Sequence, residues 1–138
     1  MRALGLDLGS KTLGIALSDP SMILASGIET FRFEEGNYGI ALDYIAKYID
    51  NNKVETVVLG LPKNMDGSTG FQANISIDFK NRLEVLTKAK IVLWDERLTS
   101  RFVNLAMIQS DMSRKKRKEK VDKLAATVIL QSYLDSRR

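Results

Sequence analysis

Asp7 stands as a single acid in the apolar alternation of Leu4 to Asp19, LGLDLGSKTLGIALSD, and three more acids of interest lie late in the chain, at Asp95, Glu96 and Asp122. A carboxylate set in a strand loses hydration and needs a hydrogen-bond donor, a cation or a metal to stay ionised. Lys11, just past the Gly9-Ser10 turn, is the nearby opposite charge. Asp7 therefore either faces water and pairs with Lys11, or belongs to a site. If the acids converge, they repel one another by several kcal/mol at low effective dielectric, and Mg²⁺ or Mn²⁺ is what stabilises such a set. Two such ions about 4 Å apart clamp the attacking and leaving oxygens of an in-line phosphoryl displacement. Phosphodiester hydrolysis is the chemistry these residues would perform.

The residue types that are missing narrow the choice further. The 138 residues include no cysteine and no histidine. Disulfides, thiol nucleophiles, Cys/His zinc sites and Ser-His-Asp triads are thereby excluded. An enzyme of this composition works with carboxylates, lysines, hydroxyls, backbone groups or a hard metal held through oxygen.

A substrate grip is also present. Between Asp111 and Lys123 stand seven basic residues, Arg114, Lys115, Lys116, Arg117, Lys118, Lys120 and Lys123, against three acidic ones. This segment carries the whole net charge of +4, since the rest of the chain is balanced. It reads either as a solvated helix face or as a positive arm for a phosphate backbone. Lacking apolar periodicity, it is expected to be a mobile segment. Lys11 can bind phosphate or neutralise Asp7. Pro62 to Gly70, PKNMDGSTG, is rich in turn formers and follows a strand. Its Asn64 is a candidate backbone contact, and Arg97 is a candidate for the same role or an ion partner for Asp95.

The elements that must position these groups follow from periodicity. Leu4, Leu6 and Leu8, then Leu13, Ile15 and Leu17, predict an antiparallel hairpin, and Ile23 to Phe33 a third strand. Ile40, Ala41, Tyr44, Ile45, Tyr48 and Ile49 recur at helical spacing, and Asn51-Asn52 stops the helix. VETVVLGL at Val54 to Leu61 reads as a strand covered on both faces. Thr69 and Gln72 have capping-box spacing for a helix to about Thr87 that buries Phe71, Ile75, Phe79, Leu83 and Leu86. Lys90 to Trp94 is a fifth strand, and Thr99 caps a helix that uses Phe102, Val103, Ala106 and Met107. A last helix carries a stripe of Val121, Leu124, Ala125, Val128 and Ile129, bordered by Asp122.

The pattern predicts an α/β domain spanning residues 1–138, with a strand meander followed by helix-linked parallel strands. With the strands in the order 3-2-1-4-5, the second antiparallel to its neighbours, strand one is central. The carboxyl ends of strands one, four and five then open on one edge, where a helix could bring Asp122 to Asp7. No apolar run approaches the roughly 20 residues that span a bilayer, and no signal-peptide pattern is present, so a cytoplasmic protein with no membrane association is expected. Monomer and homodimer both fit.

LGLDLGSKTLGIALSD, VVLGLPKNMDGSTG, DERLTS and KVDKLAATVILQSYLD together resemble the four characteristic blocks of the YqgF/RuvX family, in order and across essentially the whole chain. The resemblance implies a ribonuclease H-like fold, that of the Holliday junction resolvase RuvC, and a nuclease that matures the 5′ end of pre-16S ribosomal RNA. It points to Asp7, Asp95, Glu96 and Asp122 as the acidic site, with Asp95 favoured over Glu96 as ligand. Two departures stand out. Gly60-Leu61-Pro62 occupies the place where RuvC-like nucleases commonly carry an acid, so Asp95 or Glu96 must take that role. DERLTS ends in serine where many relatives have threonine. Structured RNA or branched DNA is the expected partner. The alternatives are a Holliday junction resolvase, or a nucleic-acid-binding factor of ribosome assembly or transcription with little or no catalysis.

Overall fold

The computed structural model describes residues 2–62, 70–95 and 114–137, and of Arg114 to Asp122 the backbone alone. Strands β1 (Arg2–Leu8), β2 (Thr12–Ser18) and β3 (Ala25–Arg32) come first. Helix α1 (Tyr38–Asn51), strand β4 (Val54–Leu61), helix α2 (Phe71–Leu86) and strand β5 (Lys90–Asp95) follow. Helix α3 (Arg114–Ser136) ends the chain. The five strands form one sheet in the order β3-β2-β1-β4-β5, as the sequence predicts. β2 is antiparallel to both neighbours, whereas β1, β4 and β5 run parallel.

Alternation gives the sheet two unlike faces. Leu4, Leu6 and Leu8 of β1, Leu13 and Ile15 of β2 and Val57 and Leu59 of β4 pack against Ala41, Leu42 and Ile45 of α1 and Phe79 and Leu83 of α2. On the other face Ala3, Ala16 and Val58 meet Ala126, Ile129, Leu130, Tyr133 and Leu134 of α3. Gly5 is the closest approach: a Cβ there would stand 2.7 Å from both the Ala126 carbonyl oxygen and Leu130 Cβ. Only a residue without a side chain lets the helix backbone settle at that depth.

Several expectations need correction. The α3 stripe is Ala125, Ala126, Ile129, Leu130, Tyr133 and Leu134, with Leu124 and Val128 only half-buried. Two alanines, Ala125 and Ala126, join the large residues of the face that meets the sheet. The helix also begins at Arg114, so the basic run is helical, not a separate segment before a helix. Lys and Arg are good helix formers, and the anchored carboxyl half lets the helix propagate through them. On α2 the buried face is Ala73, Ser76, Phe79 and Leu83, which leaves Phe71 82% exposed and Leu86 47% exposed. Ile40 of α1 is likewise 49% exposed. The capping box is not used: Gly70 is the N-cap, and Gln72 Nε2 donates instead to the Leu8 carbonyl at 3.2 Å.

A bulge in β3 has a local effect on facing. Ile15 pairs with Glu29 but Ala16 pairs with Gly27, so Ile28 is the extra residue. Beyond it the parity changes, and Glu29 and Phe31 face α1. There the Tyr44 phenol donates to the Glu29 carboxylate, and the Phe31 and Tyr44 rings stack with centroids 4.1 Å apart. Among the described residues no helix is long and apolar enough to cross a membrane.

Candidate active site at the carboxyl edge of the sheet

Asp7 is the next-to-last residue of β1 and half-buried. It shares the α3 face with Ala3 and Gly5, because Leu4, Leu6 and Leu8 take the opposite one. Its partner on β2 is Gly14. On β4 the register Leu6 to Leu59 leads to Gly60 as the next position. Asp7 thus has glycine as its neighbour on β2 and at the adjoining position of β4. Sequence reading missed these two glycines as site features, although the unbranched gaps in LGIALS and VVLGL were the available signal.

The direction of α3 sets what lies above Asp7. Ala25 N–H donates to Gln131 Oε1 at 2.9 Å, whereas Gly27, two residues along β3, lies against Lys123 and Thr127. α3 therefore runs opposite to β3, and hence opposite to β1. From Gly5, which lies between Ala126 and Leu130, one two-residue step to Asp7 is about 6.6 Å of strand. One helical turn back along α3 is about 5.4 Å. The step therefore brings Asp7 to the stretch of α3 between positions 122 and 126. Upstream of it, Arg114 to Lys118 belong to some 12 Å of helix that continues past the carboxyl edge. Asp122 also lies well inside the helix, not in a first turn where the helix dipole alone would explain it.

Asp95 ends β5 and pairs with Leu61. Val92 and Trp94 face α3, with the Trp94 ring edge-on to Tyr133 at 5.5 Å and its Nε1 donating to Ser132 Oγ at 3.2 Å. Ile91 and Leu93 face the other way. Asp7 and Asp95 stand at the same edge, two strand spacings or about 9.6 Å apart across the sheet. Both interact with neighbouring groups. Among the described residues no three acidic side chains gather as metal ligands. Asn64, Glu96 and Arg97 lie outside the described residues, as does the predicted helix after Thr99.

Lys11 is exposed in the β1–β2 turn, and its carbonyl accepts the Phe33 N–H at 2.9 Å. Gln72 was also missed as a site feature: its bond to the Leu8 carbonyl fastens the start of α2 next to Asp7. The donors within reach of this edge are carboxylate oxygens, a hard set that suits Mg²⁺ or Mn²⁺ rather than a soft ion.

Comparison with known proteins gives a consistent picture. The family model RuvX, described as Holliday junction resolvase, matches residues 1–136. A protein of Geobacillus sp. (strain WCH70) is 49% identical over 140 residues, covering 100% of both chains. One from Staphylococcus epidermidis is 47% identical over 136 residues, covering 98% of this chain and 96% of its own. Both carry the name "Putative pre-16S rRNA nuclease". Among solved structures, the fowlpox virus resolvase in complex with Holliday junction DNA aligns with TM-score 0.59 at 16% identity, covering 99% of each chain. The Thermus thermophilus RuvC complex with its junction substrate gives 0.58 at 14% identity, covering 99% of this chain and 95% of that one. At such identities these likenesses show the fold, which is ribonuclease H-like.

Proposed function

This chain belongs to the RuvX family, and from that premise we propose that it is a cytoplasmic nuclease, one domain over residues 1–138, that hydrolyses phosphodiester bonds of structured nucleic acid with Mg²⁺ or Mn²⁺. The substrate is pre-16S rRNA, by analogy with the names of relatives nearly half identical to it, and its 5′ end is the site of action that the family resemblance implies. The observation that carries this reading is the juxtaposition at the carboxyl edge. Asp7 has Gly14 beside it on β2, the turn of α3 between positions 122 and 126 lies over that end of β1, and the basic part of the helix continues past the same edge.

Asp7 and Asp122, with Asp95 or Glu96, would hold the metal. When bound, it supplies a lowered pKa for the attacking water and charge neutralisation at the leaving oxygen. The chain's own residues do the rest. Lys11, Asn64, Arg97, Lys123 and the run Arg114, Lys115, Lys116, Arg117 and Lys118 grip the phosphate backbone and set its register without reading sequence. Water adds to phosphorus, one P–O bond breaks, and the departing oxygen takes a proton.

Cleavage of pre-rRNA-like and branched substrates by wild type and Asp7→Asn tests this. Wild type should make new ends only with divalent metal, and the variant none. Metal-dependent cleavage by Asp7→Asn at the wild-type rate would overturn it. The two strand spacings, about 9.6 Å, between the strands of Asp7 and Asp95 favour a second reading, a binding factor with little catalysis, for which salt-sensitive binding without products is the expected result.

A further inference from the structure

We propose that Phe71 is a stacking platform for an unpaired nucleobase beside the scissile phosphate, an inference that rests on the nuclease reading of the same edge. Phe71 opens α2 and is 82% exposed, although a phenylalanine gains most from burial. Its exposure is built in by the helix. Ala73, Ser76, Phe79 and Leu83 define the face against the sheet, and Phe71 lies well off the centre of that face.

The first turn of α2 is also held in place. Gln72 Nε2 donates to the Leu8 carbonyl at 3.2 Å. Phe71 and Asp7 are thus the chain neighbours of the two residues joined by that bond, which puts Phe71 at the carboxyl edge on the α2 side of the sheet and Asp7 at the same edge on the α3 side. Sequence expectation put Phe71 in the core, where it would need no partner. At a rim where a polyanion lies, an exposed ring meets bases as well as phosphates, and every base offers a π-face. Stacking there tolerates any sequence but requires a base that is out of a duplex, as at a junction, bulge or single-stranded end. The platform would therefore select nucleic acid by structure.

The test is binding of a hairpin RNA with a single-stranded 5′ extension, in which 2-aminopurine replaces successive unpaired bases, to chains also carrying Asp7→Asn. Phe71→Ala should weaken binding about tenfold or more and abolish quenching of one 2-aminopurine. Phe71→Tyr and Phe71→Trp should retain both, and Phe71→Leu, apolar but not planar, should not. The slope of log affinity against log salt should be the same in all, since no phosphate contact is lost. Wild-type affinity and quenching in Phe71→Leu, or a fall in salt slope in Phe71→Ala, would overturn the platform. Its failure is distinct from that of the nuclease reading, which is decided by whether wild type with metal produces new ends.

Discussion

The two faces of the sheet share the same strands and do opposite things. Toward α1 and α2, β1 and β2 present leucines and isoleucines, and the chain buries large side chains there. Toward α3 the same strands present Ala3, Gly5, Asp7, Gly14 and Ala16, and a helix comes close enough that one methyl at Gly5 would collide with it. A half-buried carboxylate is tolerable only where the surroundings leave room for water, an ion or a charged partner. The face with large side chains provides stability and the face with small ones provides the site. Fold strength and chemistry are thus separated by the period-2 alternation of a single strand.

Substitutions on each face can break or sharpen that contrast. The largest effect is expected from Asp7→Asn, which should lower metal-dependent cleavage by about a thousandfold, or ~4 kcal/mol of barrier. Its melting temperature should be unchanged or raised, because a site carboxylate is removed. A marked loss of stability would mean that Asp7 is structural after all. Leu6→Ala, one residue away on the opposite face and fully buried, should cost about 2–5 kcal/mol in denaturant unfolding. Cleavage per folded molecule should hardly change. Gly5→Ala should cost about 1–3 kcal/mol through overpacking against α3. It should also reduce activity, since it shifts the helix that carries Asp122, and unaltered activity would show that α3 need not be so close.

The smallest effect concerns the far end of the face toward α1. Tyr44→Phe removes the hydrogen bond to Glu29 and should cost about 1 kcal/mol or less. That bond, together with burial, pushes the Tyr44 phenol up from 10.0 to about 12. A raised acid pKa means that the folded state holds its proton more tightly. The contribution is therefore full below pH 10 and lost as pH rises toward 12. Wild type and Tyr44→Phe should accordingly converge in stability across that window, as read by unfolding at successive pH values.

Much of this was legible in the sequence where the local signal and the tertiary outcome agree. The hairpin, β4, the strand order and Asp7 as an odd charge in an apolar strand came from alternation and run length. The facing of particular residues was harder. The α3 stripe takes in Ala126 because the helix backbone comes close to the sheet at Gly5. The bulge at Ile28 arises from pairing with β2, and no residue type in ASGIETFR announces it. Phe71 and Leu86 fit a helical period but fall off the face that the sheet covers. The facing of β5 was likewise set by tertiary contact, with the Trp94 ring edge-on to Tyr133 of α3.

β1 is hydrogen-bonded to β2 on one side and β4 on the other, whereas β3 closes the edge of the sheet. Amides in a central strand exchange with solvent only when the whole sheet opens, and edge strands exchange by smaller local openings. Asp7 is therefore held by the part of the molecule with the longest protection. Its place at the candidate site should persist through every fluctuation short of global unfolding.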